Sequence, residues 1–276
     1  MLIKNKPNII DALACYDTET YDVDENGCFS KYSPAYIATN EALRWETSLF
    51  PNPQRVLTVA GSGDQALFYK LAGAKHIDTF DVSYCAHVIQ DIKTTAIRNI
   101  PHSAYKDLLF DLYQTAHATD IDRLFPLLLK LPTDTLDFVR QMDGCRLFNC
   151  GESPIGILGN KLNDDEYRKL QLCVPKSFNF IWSDIASLPK KLRHKYDIIN
   201  ISNILGYIHP ENRISILSSL SPYLHPDGRI ICCEFHEHAC LSNTKFHSEI
   251  IHNTDRDAYC SVFTSMLVLQ KKNKTK

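Results

Sequence analysis

The ten cysteines in this 276-residue chain include no C-x-x-C pair, so the commonest zinc and dithiol spacings are excluded. Several, such as Cys232 and Cys233 in RIICC, lie in apolar runs, so reduced thiols are expected rather than a disulfide framework. No apolar run reaches the ~20 residues a helix needs to cross a bilayer. The first residues, MLIKNKPNII, lack the apolar stretch of a secretory leader, and a cytoplasmic protein is expected. Charge of one sign is not in excess either: 30 Lys and Arg against 32 Asp and Glu leave a formal net charge of -2. Without a global field to gather polyanions, the expected partner is a small molecule and no nucleic acid. The 44% hydrophobic and 22% charged content is that of an ordinary globular chain long enough to bury an ample core.

The stretch that organises the rest is Arg55–Asp81, RVLTVAGSGDQALFYKLAGAKHIDTFD. It reads as a buried strand (Val56–Ala60), a turn (Gly61, Ser62, Gly63), a helix (Asp64–Ala72) and a second strand (Ile77–Phe80) ending on Asp81. A strand, tight turn and helix leave backbone N–H groups free at the helix N-terminus, where a nucleotide-like ligand can lie. Asp81 follows Gly61 by twenty residues, the distance at which an acid closing the second strand accepts hydrogen bonds from ribose hydroxyls. G-S-G-D-Q-A also satisfies a loose dinucleotide fingerprint. Asp64 argues against that reading, because a carboxylate beside a pyrophosphate sets like charges together. S-adenosylmethionine (SAM) has no phosphate and carries a sulfonium and an ammonium, so it is the expected cofactor, ahead of NAD or FAD.

Around this stretch, residues 1–50 are expected to form an N-terminal helical cap. Within it, FSKYSPAYIATNEALR (Phe29–Arg44) is near helical spacing from a Ser33-Pro34 start, so Tyr32, Ser33, Tyr36 or Glu41 can face the pocket. Tyr84–Ile100 is a helix with Val88, Ile89, Ile92, Ala96 and Ile97 on its buried face and Lys93 and Arg98 off it. Residues 101–177 break the alternation and read as a mainly helical insertion, a candidate substrate lid, with a helix capped by Asn163. Strands follow at Phe178–Trp182, Tyr196–Ser202, Arg229–Phe235 and within Tyr259–Leu269. Pro210–Ser221 is a helix and His225–Gly228 a turn. The expected architecture is thus α/β and Rossmann-like: a mostly parallel sheet with an antiparallel last strand, built from residues 51–100 and 178–270, and a short tail over 271–276.

Three stretches together resemble the class I SAM-dependent methyltransferase superfamily: VAGSGDQ with Asp81, Asp184 in FIWSDIASLP, and YDIINISNILGYI followed by LHPDGRIICCE. The GSGDQ and SNIL features resemble the branch that transfers the 3-amino-3-carboxypropyl arm of SAM, which includes betaine-lipid synthesis enzymes. The resemblance implies that Gly61, Ser62, Gly63 and Asp64 pass close to the methionine part of SAM and that Asp81 and Val82 hold the ribose. It also implies that Asp184 and Ile185 contact adenine, and that Ser202 and Asn203 flank the sulfonium. The alternative for Asp184 is a turn or cap residue.

The sulfonium is already activated, so the protein has mainly to align a nucleophile and exclude water. A nucleophilic amine or hydroxyl also needs a base, for which Tyr36, Glu41, Tyr207 and His209 are the candidates. Methyl transfer to a small-molecule acceptor is the expected reaction. Aminocarboxypropyl transfer, releasing 5′-methylthioadenosine, is the rival, and a non-catalytic SAM-binding or scaffold protein the alternative of another class. A lipid acceptor is compatible with the absence of a span. Cys232, Cys233, Glu234, His236, His238 and Cys240 offer metal-ligand chemistry, but the two adjacent cysteines look like strand core, and no metal site is expected.

Overall fold

The computed structural model describes residues 7–8, 10, 12, 30–114, 121–124, 127–143, 145–149, 162–233, 245–253 and 265–272. In chain order the strands are β1 (Ala35–Tyr36), β2 (Arg55–Val59), β3 (His76–Asp81), β4 (Phe148–Asn149), β5 (Asn179–Trp182), β6 (Tyr196–Asn200), β7 (Leu224–Cys233), β8 (Phe246–His252) and β9 (Ser265–Lys271). The α-helices are α1 (Leu43–Ser48), α2 (Asp64–Leu71), α3 (Tyr84–Asn99), α4 (His102–Gln114), α5 (Thr133–Gln141), α6 (Asp164–Cys173) and α7 (Pro210–Leu220). Seven strands form one sheet in the order β5-β3-β2-β6-β7-β9-β8. The pairs from β5 to β7 are parallel, and β9 is antiparallel to both neighbours. This is the α/β, mostly parallel architecture with an antiparallel last strand that the sequence pattern predicts.

Side chains alternate across a strand, and here both sides are apolar because helices cover both faces. Val56, Ile198, Ile231 and Val268 pack with Leu67, Val88, Ile89, Ile92 and Phe138 on one face. Leu57, Ile199, Ile230 and Leu267 pack with Leu188, Ile216, Leu217 and Leu220 on the other. Burying one such aliphatic side chain contributes about 1.5–3 kcal/mol. Helix ends follow from local chemistry. Ser83 accepts from Cys85 N at the start of α3, and Asn163 and Glu166 form a reciprocal capping box at α6.

The N-terminal segment departs from expectation. No helix runs over residues 30–42. Ala35 and Tyr36 pair in parallel with Phe148 and Asn149, and the helix begins only at Leu43. Pro34 disfavours the helical region for Ser33 and has no N–H to donate, while the Ala35 N–H is taken by the Leu147 carbonyl at 3.0 Å. Two short strands therefore join the N-terminal segment to the insertion, a pairing that residues 101–177 do not advertise by period. Arg44 adds a bidentate pair to Glu166 at 2.9 and 2.6 Å, tying α1 to α6.

The expected turn at His225–Gly228 lies inside β7. Tyr196 pairs with Leu224 and Ile198 with Arg229, so the four residues make an excursion within one strand. Strand β8 escapes the sequence reading altogether. Lys93 is also misplaced by periodicity: it is 1% exposed. Glu234, His236, His238 and Cys240 of the Cys/His run lie outside the described residues.

Candidate functional site

In an open parallel sheet, ligands bind beyond the carboxyl ends of the strands where the strand order reverses. That point lies between β2 and β6, and two of the stretches expected to bind a ligand lie there.

The turn after β2 is the first. Gly61 and Gly63 both have positive φ, 49° and 83°, which suits glycine. A Cβ on Gly63 would stand 3.0 Å from the Gln90 Cα of α3, so this position also needs the absence of a side chain. Asp81, at the end of β3, accepts from Gly61 N at 2.9 Å and from Ser83 N at 2.9 Å. One acid thus fixes the glycine turn and starts α3. Burial pushes its carboxyl up to about 6 against the pull of those N–H groups. Val82, next to it, accepts from the Trp182 indole at 2.7 Å through its carbonyl.

The second feature is the end of β6. Asn200 is fully buried, and its side chain accepts from Ser202 N at 2.7 Å. Ser202 has φ 52°, a strained value for a serine that is common at ligand sites. Its hydroxyl donates to Glu41 Oε1 and to Asn203 Oδ1, the latter at 3.3 Å. Gln65 Nε2 donates to Glu41 Oε2 at 3.2 Å. Glu41, from the N-terminal segment, is therefore held by Ser202 beyond β6 and by Gln65 in the first turn of α2.

Behind it lies a cluster that sequence reasoning missed. Glu46 of α1 accepts from Tyr69 at 3.1 Å and from Asn200 Nδ2, and its second oxygen lies 3.5 Å from the Cys233 thiol. Ligand atoms of Glu41, Glu46 and Cys233 all lie within 4.8 Å of one another. Burial, then the nearby Glu41 charge, pushes the Glu46 carboxyl up to about 8. Burial likewise raises Glu41 and Cys233. The available signal was Asn200, a polar residue in an apolar strand that has to find a buried partner.

Other expected site residues fall elsewhere. Asp64 is 7% exposed and forms a 2.5 Å ion pair with the buried Lys93. It also accepts from Thr39 N at 3.1 Å and from Ser62 Oγ at 2.8 Å. Its charge is matched by Lys93, so it no longer discriminates SAM from a pyrophosphate as its place in the sequence suggested. Asp184 is exposed and accepts from Ser187 N at 2.8 Å, as a turn cap does. Ile185 is buried with Leu188 and Leu192. Tyr36 and Tyr207 are 39% and 42% exposed, and His209 is exposed at the start of α7. Of the four expected bases, Glu41 is the one brought into the buried network.

Strand order and glycine turn together define a Rossmann-like fold of the class I methyltransferase type. No protein-family model and no curated protein sequence matches the chain. Solved structures similar to it include the rRNA methyltransferase aviRa from Streptomyces viridochromogenes, at 11% identity over 86% of each chain and a TM-score of 0.48. The ribosomal protein L11 methylase from Lactobacillus delbrueckii subsp. bulgaricus is 12% identical, with 84% of this chain and 78% of that one covered and a TM-score of 0.41. Magnesium protoporphyrin IX methyltransferase from Synechocystis PCC 6803, solved with bound SAM, is 13% identical over 83% and 76% at a TM-score of 0.41. An rRNA enzyme among these neighbours corrects the expectation that nucleic acid is no partner. Near-neutral net charge reports on global attraction and not on what a local site takes.

Proposed function

We propose that this chain binds SAM at the switch point between β2 and β6 and transfers its methyl group. The observation that carries the reading is the meeting of Asp81, the Gly61 turn and Ser202 at the point where the strand order reverses. Gly61, Ser62 and Gly63 would border the methionine arm, Asp81 and Val82 the ribose, Asp184 and Ile185 the adenine, and Ser202 and Asn203 the sulfonium. Bound SAM supplies an activated methyl carbon. The acceptor's lone pair forms the new bond as the carbon–sulfur bond breaks and its electrons return to sulfur. Glu41, reached through Ser202, is positioned to take the acceptor's proton. The insertion, joined to the Glu41 segment by β1 and β4, would cover the acceptor side.

Mass spectrometry of products formed from SAM, with the RNA and small-molecule fractions of a cell extract supplied separately, tests this. S-adenosylhomocysteine in either fraction supports methyl transfer. 5′-Methylthioadenosine would instead assign aminocarboxypropyl transfer. SAM binding with neither product would overturn the enzymatic reading, and an Asp81→Ala control reports whether turnover depends on this site.

A further inference from the structure

Gln65, the second residue of α2, is 3% exposed. Its amide is oriented by the N-terminal segment: Nε2 donates to Glu41 Oε2 at 3.2 Å and reaches Thr39 Oγ1 at 3.5 Å. These contacts use the donor end, and the carbonyl oxygen has no hydrogen-bond partner among the described residues. A buried acceptor left unpaired costs stability, and native proteins keep few of them. Thr58 and Gln90 also carry unpaired buried atoms, but these residues lie within β2 and α3. Gln65 lies beside the glycine turn. A Cβ on Gly61 would stand 3.6 Å from the Gln65 oxygen. Gly61 is only partly buried, so an atom of a ligand crossing its bare Cα takes that place, a small shift from hydrogen-bond distance. The N–H of the same glycine donates to Asp81 at 2.9 Å. Two acceptors thus flank Gly61, the acid at its nitrogen and the amide oxygen at its Cα.

We propose that the Gln65 carbonyl oxygen accepts a hydrogen bond from the α-ammonium of SAM's methionine arm, which makes Gln65 a selector for ligands that carry that group. The assignment rests on the reading above that SAM is the ligand. Of the polar groups on that arm, the carboxylate and the sulfonium have no hydrogen to give, whereas the ammonium has three. A charged donor also makes the stronger bond to a carbonyl held out of water. Asp81 is left to the ribose, and Glu41 serves to turn the amide so that its oxygen, not its nitrogen, meets the arm.

The experiment uses the full chain. S-adenosylhomocysteine, which keeps the ammonium and has no methyl group to transfer, is titrated calorimetrically beside its deaminated analogue, whose α-carbon carries hydrogen in place of the ammonium. Wild type is expected to bind S-adenosylhomocysteine at least about tenfold tighter than the analogue. Gln65→Met, similar in length but without the carbonyl, is expected to bind the two ligands within about threefold of each other. The ratio compares two ligands on one protein, so a general loosening of the fold lowers both affinities and leaves it unmoved. Gln65→Lys keeps a donor for Glu41 and sets a cation against the ligand's own. It is expected to favour the analogue, and it decides the matter if the methionine variant does not fold. Equal binding of the two ligands by wild type overturns the ammonium contact and leaves the SAM reading intact. A wild-type preference that survives in either variant assigns the ammonium to another acceptor and also overturns it. If wild type binds neither ligand, the SAM reading falls and this assignment falls with it.

Discussion

Asp64 and Glu46 are both buried carboxyls near the carboxyl end of the sheet, one on each of two successive helices. Asp64 is paired with Lys93, and its remaining acceptor capacity is used by Thr39 and Ser62. Glu46 receives neutral donors from Tyr69, Asn200 and Cys233. Equal burial thus produces a fixed internal ion pair at one position and a carboxyl that keeps its proton at the other. The first holds the glycine turn to α3, and the second stays neutral among neutral donors.

The strongest way to break the contrast is to remove the cation from the paired side. Lys93→Met should destabilise the protein by about 3–5 kcal/mol, because Asp64 is then buried without a partner. Urea unfolding would register the loss, and adding Asp64→Asn should restore much of it. Glu46 should behave in the opposite manner. Its carboxyl in the folded protein, at about 8, lies above the usual 4.5, so its contribution is complete below about 4.5 and is lost as pH rises toward 8. Wild type should lose stability across that window on the order of 5 kcal/mol more than Glu46→Gln does. Parallel pH profiles of the two proteins would remove the distinction between Asp64 and Glu46.

Asp81 stands between these cases, partly buried and held by backbone N–H donors. Asp81→Ala should cost about 1–2 kcal/mol of stability and weaken SAM binding at least about tenfold; equilibrium dialysis separates the two effects. The smallest effect should be at Asp184. Loss of its cap to Ser187 is worth about 0.5–1 kcal/mol, and an unchanged SAM affinity would reduce its role to that cap.

The parallel core was legible because buried strands and helices announce themselves by composition and period. β2, α2, β3 and α3 fall within a residue or two of their expected limits. The glycine turn with Asp81 was legible because its chemistry is local. The pairing of Lys93 with Asp64 was not: a lone cation on a helix is read as solvated, and its partner sits 29 residues away. The Glu46 cluster was harder still, since Glu46 in WETS looks like a surface acid until Asn200 and Cys233 are brought to it. The segment around Tyr36 was misread because an apolar spacing of three to four says nothing about a proline whose neighbours are claimed by a distant strand.

The contacts that complete this pocket span 161 residues from Glu41 to Ser202 and 187 from Glu46 to Cys233. A ribosome makes the two carboxyls long before Ser202 and Cys233. At about 5–20 residues per second, the segment carrying Glu41 and Glu46 waits roughly ten seconds or more in the open before β7 exists to receive it. During synthesis, the residues that end up driest are among those that stay wet longest.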